Sequence, residues 1–253
     1  MPERLLLVSN WMVGPGCCDA WAGPHTFLEL LRRDFEVDIY EWPTTRGRAD
    51  PSARWDDAVS EIAQSLPDHG HVVAIFGGAA FTMLAMSKRD DLRLKSFVVD
   101  GFLVPAVTLR EAGMDQAAQA SAAAFQQPRA YQYVAQAMLG AAEPEIRRIA
   151  DVFDREIDWT LANEFAAGFE FMNLFEVRPD VTCPTLYLEP HIDFPGFSGT
   201  REIFLTFAPH AQCGELTLWP SYLQLKEAGH ELAEQVLAFS LPQARIGSPG
   251  SST

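Results

Sequence analysis

The feature that most constrains this chain is an alternation, over its first hundred residues, of short continuous apolar runs with stretches of helical spacing. Leu5-Leu6-Leu7-Val8 is an unbroken apolar run that ends in a polar and Gly/Pro-rich loop, the pattern of a buried parallel strand. Thr26 to Arg33 then places Phe27, Leu30 and Leu31 on one helical face. Phe35 to Tyr40 alternates like a strand and is stopped by Trp42-Pro43. Ala53 to Leu66 is helical again, through Trp55, Val59, Ile62 and Ala63. His71 to Phe76 is a buried strand, followed by a Gly-Gly turn and an apolar helix from Phe81 to Ser87. Ser96 to Asp100 is one more strand. Strands alternating with helices in this way predict a mainly parallel central sheet with helices on both faces, an α/β fold.

From Thr108 to Val177 alanine and glutamine dominate and the apolar positions take helical periods. Helices are expected near Leu109 to Phe125 and Trp159 to Phe175. The α/β pattern resumes at Thr185 to Leu188 and again at Glu215 to Leu218, and the last helix is expected over Leu232 to Phe239. The expected organisation is therefore an α/β core over 1–107, a helical insertion over 108–180, the rest of the core over 181–241 and a disordered tail over 242–253.

Bulk properties exclude several functions. With 253 residues the chain builds one well-buried α/β domain. Lys and Arg total 19 against 34 Asp and Glu, a formal charge of −15, which repels phosphate backbones and anionic membrane surfaces. No nucleic acid and no membrane is expected as a partner. The stretch from Val72 to Met86 is too short to span a bilayer and is interrupted by Gly77-Gly78. Leu5 to Val8 is far shorter than a signal-peptide core and no small-residue cleavage site follows it, so the expected location is cytoplasmic. Cys17, Cys18, Cys183 and Cys213 are too few for a disulfide scaffold and are expected as free thiols.

Over nearly its whole length the layout resembles the capped α/β-hydrolase superfamily. Leu6 to Trp11, followed by Trp21, resembles the first strand and oxyanion loop, and Ile75 to Ala80 stands where the family has its Gly-x-Ser-x-Gly elbow. Cys183 to Leu188, then Asp193, resembles the strand and loop that carry the triad acid, and Glu227 to Phe239 resembles the closing helix. The resemblance implies an α/β-hydrolase fold with a helical cap. It also implies a degenerate triad. On this alignment Gly77, or Gly78 one place on, fills the nucleophile's position, Tyr222 fills that of the histidine, and Asp193 alone is kept. A hydroxyl nucleophile activated by an imidazole needs both groups.

Around that frame, Gly77, Gly78 and Ala79 are expected to aim backbone N–H groups, with those of Ser9, Asn10 and Trp11, toward a ligand oxygen. Asn10 offers an amide donor and Trp11 a flat wall, although Trp11 fits a packed core equally well. A Gly-Gly apex is expected to leave open space. Tyr222 suits proton donation better than abstraction, with Asp193 orienting it and His191 as an alternative base. Glu189, His191 and Asp193 alternate and could hold zinc or iron, but Pro190 and Pro195 make the stretch a loop, so no metal site is expected. His69 and His71 are expected beside solvent, and His230 on the surface. Phe169 and Met172, with many aromatic neighbours in the insertion, are expected in an apolar chamber between cap and core.

These residues predict a cofactor-independent enzyme on a bulky apolar or aromatic small molecule, making or breaking C–C or C–O bonds, or cyclising, by positioning and oxyanion stabilisation. Superfamily members that have lost hydrolysis often serve secondary metabolism, antibiotic biosynthesis included, and the Ala-, Arg- and Pro-rich composition suits a high-GC bacterial source. A non-catalytic ligand-binding protein and an ester hydrolase with its nucleophile elsewhere remain open, as does a homodimer.

Overall fold

The computed structural model describes residues 2–13, 27–125, 151, 153–190, 199–217 and 225–246. Six strands form one sheet: β1 (Glu3–Val8), β2 (Phe35–Ile39), β3 (His71–Phe76), β4 (Ser96–Phe102), β5 (Thr185–Pro190) and β6 (Gln212–Leu216). Their order is β2-β1-β3-β4-β5-β6, and every pairing is parallel. The central strands β3 and β4 are buried at every residue, because helices cover both faces of a parallel sheet. The edge strands β2 and β6 expose alternate or successive residues.

The described helices are α1 (Phe27–Leu31), α2 (Trp55–Ser65), α3 (Gly77–Met86), α4 (Ala106–Glu111), α5 (Asp115–Phe125), α6 (Trp159–Glu170), α7 (Leu174–Val177), α8 (Thr200–Phe207) and α9 (Leu225–Ile246). Helices α4 to α7 all lie between β4 and β5 in the chain and form the helical cap. The Ala-rich stretch is two helices rather than one, because Gly113 takes φ +77° between α4 and α5. The expected helix over Trp159 to Phe175 is also two. Asp158 caps α6 by accepting from the N–H groups of Thr160 and Leu161 at 3.0 and 3.2 Å, and Asn173 caps α7.

Three boundaries move. Helix α3 begins at Gly77, directly after β3, so Gly77-Gly78 is its first turn and not a separate loop. Strand β6 begins three residues before the apolar run at Glu215, because edge pairing to β5 is satisfied by backbone groups whatever the side chains. Helix α9 runs from Leu225 through Pro242 to Ile246. Its inward positions Leu232, Ala233, Val236 and Ser240 keep it seated over two further turns.

Candidate functional site

In an open α/β sheet, ligands bind outside the carboxyl ends of the strands where the strand order reverses. Here the chain moves from β1 outward to β2 and then back to β3 on the other side of β1. That rule points to the place where the loop after Val8 meets the turn after Phe76. Val8 pairs with Ala74, which sets those two segments side by side.

The turn after β3 is strained at one residue. Phe76 has φ 58° and ψ −116°, a conformation that bulky L-residues avoid and that collects at functional sites. The pairing of β3 with β4 shifts register between Ile75 and Phe76 to allow it. This is the strand-to-helix elbow, and its apex is Phe76, not Gly77 or Gly78. The sequence holds the signal: Ala74 and Gly78 are the small residues two places before and after the apex, where the motif has its glycines. Gly77 and Gly78 instead serve close packing. A Cβ on Gly77 would overlap the Trp11 ring, and one on Gly78 would overlap the carbonyls of Val8 and Ser9. The expected open space at Gly77 is thus taken by the Trp11 indole. Ala79 is fully buried behind the turn.

The loop after β1 is locked by its own polar groups. Asn10 Oδ1 accepts from Met12 N–H at 3.1 Å, so the amide anchors the loop. Ser9 Oγ donates to the Val13 carbonyl at 3.1 Å. Trp42 Nε1–H donates to the Ser9 carbonyl at 2.9 Å and Thr44 Oγ–H to the Trp11 carbonyl at 2.5 Å. Ser9, Asn10 and Trp11 are all buried.

Trp11 also heads an aromatic cluster that joins core to cap. Its ring lies 4.8 Å from Phe169 on α6 and 5.7 Å from Phe81 on α3, while Phe81 stacks on Phe169 at 5.9 Å and meets Trp42 edge-on at 4.9 Å. Phe169 therefore packs with Trp11 in one buried cluster. Met172 does not join them. Its carbonyl accepts from Thr108 Oγ–H, and its side chain lines a separate cleft of about 310 Å³ with Trp55, Leu84, Phe171 and Val177.

Two ionisable groups, the buried Asp100 and the part-buried Glu170, were not among the candidate residues, and a third, His71, lies elsewhere than expected. Asp100 on β4 is fully buried and pairs in register with Ile75, the residue before the apex; a single acid within an otherwise apolar strand is the local hint. Glu170, at the end of α6, has Oε2 buried without a hydrogen-bond partner and Oε1 3.3 Å from Ser121 Oγ. Burial raises its carboxyl to about 7, against the opposing pull of Ser121, the Ala106 backbone and Arg110. His71 was expected beside solvent and is instead wholly buried, bonded to Ser96 and Glu3, because the starts of β1 and β4 close over it. His69 and His230 are solvent-facing.

His191, Asp193 and Tyr222 lie outside the described residues, as do Cys17 and Cys18. Glu189 forms an ion pair with Arg201 at 3.1 Å. Among the described residues no group of three His, Cys, Asp or Glu side chains could hold a metal ion, and no described helix is long and apolar enough to cross a membrane.

No protein-family model matches the chain, and no curated protein does. Solved structures do. The chain is similar to MenH from S. aureus, with a TM-score of 0.66 at 11% identity over 96% of this chain and 94% of that one. It is similar to an esterase from Exiguobacterium antarcticum, with a TM-score of 0.67 at 11% identity over 97% and 92%. A hydrolase from Oleispira antarctica superposes with a TM-score of 0.66 at 10% identity over 98% and 92%.

Proposed function

We propose, starting from the α/β-hydrolase fold that this chain has, that it acts on a bulky apolar or aromatic small molecule without an acyl-enzyme intermediate and without a cofactor. The observation that carries this reading is Phe76 at the elbow apex, with φ 58° and ψ −116°. The elbow works in hydrolysis by presenting a nucleophilic atom. Phe76 has none, and neither do Gly77 and Gly78, the two residues that follow it. What remains to such a site is positioning, exclusion of water and stabilisation of a developing oxyanion by backbone donors. Trp11, Phe81 and Phe169 pack on one another beside the elbow, fully buried, so the surroundings of the apex are apolar and aromatic. The reactions that need only these means are C–C or C–O bond formation, cleavage or cyclisation, chemistry at home in natural-product biosynthesis. In this reading Tyr222 donates a proton or hydrogen bond, Asp193 orients it and His191 is the alternative base.

A second reading, a ligand-binding protein without turnover, is favoured by one observation: the polar groups of Ser9 and Asn10 are committed to holding their own loop.

The test is incubation with a fluorophosphonate probe and a panel of p-nitrophenyl esters, read by intact mass and absorbance, followed by a thermal-shift screen of aromatic and polycyclic small molecules. The expected result is no adduct, no ester turnover and a stabilising aromatic ligand. A stoichiometric adduct with ester turnover overturns the proposal and points to a nucleophile elsewhere. Turnover of a stabilising ligand that is lost in Tyr222→Phe and Asp193→Asn supports the enzyme; binding unchanged in both, without turnover, supports the binding protein.

A further inference from the structure

At the end of the sheet opposite Phe76, five side chains form one continuous hydrogen-bonded line. Ser240 on α9 lies 2.8 Å from Ser96 Oγ, Ser96 Oγ lies 2.8 Å from His71 Nδ1, and His71 Nε2 lies 2.7 Å from Glu3 Oε2. Lys95 completes the line through the other oxygen of Glu3. Glu3, His71 and Ser96 are the first residues of β1, β3 and β4; His71 pairs with Ser96, and Glu3 stands two residues before Leu5, the partner of His71 on β1. The order serine, histidine, glutamate is that of a hydrolytic relay. Both serines and the histidine are at 0% exposure, so no substrate can reach either hydroxyl, and the line serves another purpose.

The partners fix the direction of every bond. An ionised carboxylate only accepts, so the proton of a neutral His71 sits on Nε2 and points at Glu3. Nδ1 then accepts from the Ser96 hydroxyl, and Ser96 accepts from Ser240. Adding one proton from solvent puts it on Nδ1, which can then only donate. Ser96 must accept from His71 and turn its own O–H to Ser240, so Ser240 becomes the acceptor and its own O–H loses Ser96 as a partner. Only the new N–H bond forms, yet each hydroxyl in the line reverses.

We propose that this line is an acid-triggered latch: protonation of His71 reverses it and loosens the hold of α9 on the start of β4. Two effects do the loosening. A buried serine hydroxyl that loses its acceptor costs free energy on the helix that carries it, and an imidazolium enclosed away from solvent is costly to the segments packed on it. The charged groups around His71 oppose one another. Glu3 from β1 favours the imidazolium, while Lys95, ahead of β4, disfavours it and already shares Glu3. The remaining neighbours are neutral: Ser96, Ser240 and the Phe35 ring of β2, 5.0 Å from the imidazole. Burial outweighs Glu3 and holds His71 below the ordinary histidine range, so the latch is closed at neutral pH.

The experiment follows the His71 ring by NMR and the α9 backbone amides by hydrogen exchange in the full chain between pH 7.5 and 5, corrected for intrinsic exchange. The expected result is a loss of about tenfold in protection around Val236 to Leu241 as the ring titrates, the change that one pKa unit of differential proton binding carries. In Ser240→Ala the ring still titrates and the response of α9 disappears. Ser96→Ala cuts the same line from the sheet side and gives the same loss of response, should the first variant fail to fold. A ring that does not titrate above pH 5 overturns the latch. So does a helix that stays protected while the ring titrates, or one that loosens equally in the variants. The fluorophosphonate result is independent of all of these.

Discussion

The indole of Trp11 lies across the backbone of Gly77, so closely that the glycine has no room for a Cβ. The residue after the elbow is thereby tied to the loop after β1, and through the Trp11 ring to Phe81 and Phe169. Gly77→Ala must push that ring away. The expected cost is about 1–3 kcal/mol, the range for forcing one methyl into a packed core. Urea unfolding measures it, and tryptophan emission reports the displaced indole. Unchanged stability and emission would mean that the ring swings aside freely.

Phe76 gives a sharper test, since its ring and its backbone pull in opposite directions. Phe76→Ala loses the buried ring, at about 3–5 kcal/mol, and keeps the strained dihedral. Phe76→Gly loses the same ring and a methyl more, yet glycine accepts φ 58° without strain. The glycine variant is therefore expected to be the more stable of the two by about 1 kcal/mol, the reverse of the usual order inside regular elements. Paired denaturation curves decide it.

Glu170 predicts alkaline sensitivity. Its folded carboxyl titrates at about 7, above the ordinary glutamate value, so the unfolded chain gives up the proton first. The associated stability is complete below the unfolded value, near pH 4.5, and is lost as pH rises toward and through 7. Allowing for partial access of water, Glu170→Gln is expected to recover about 2 kcal/mol at pH 8 and nothing at pH 4. Melting curves of both proteins across that range check the crossover.

Asp158 caps the cap's main helix, accepting from two N–H groups. Asp158→Ala is expected to cost about 1 kcal/mol and to speed proteolysis near α6. Asp158→Asn, which keeps the acceptor oxygen, is expected to restore most of it.

Much of the fold was legible because a parallel sheet buried on both faces writes itself as continuous apolar runs. Leu5 to Val8, His71 to Phe76 and Ser96 to Phe102 are strands for that reason. The elbow was located but misread by one residue. Alignment with the elbow motif puts Gly77 or Gly78 at the apex, whereas the close approach of Trp11 and of the Val8 carbonyl is what requires the glycines. His71 and Glu170 were out of reach of local patterns. Their surroundings are made by Glu3, Ser96 and Ser240 in one case and by Ser121 in the other, residues from distant parts of the chain. Phe169 and Met172, three residues apart on paper, part company because α6 ends at Glu170.

A dihedral that phenylalanine would never choose is held at Phe76 by a side chain with nothing to offer a substrate. The contortion thus belongs to routing: a strand in mid-sheet must turn at once into the helix that leads on to β4, and whichever residue stands at the corner bears the torsion. In architectures wound this way, a kinked corner testifies to the path of the chain, and reactivity has to be read from the atoms that the corner displays.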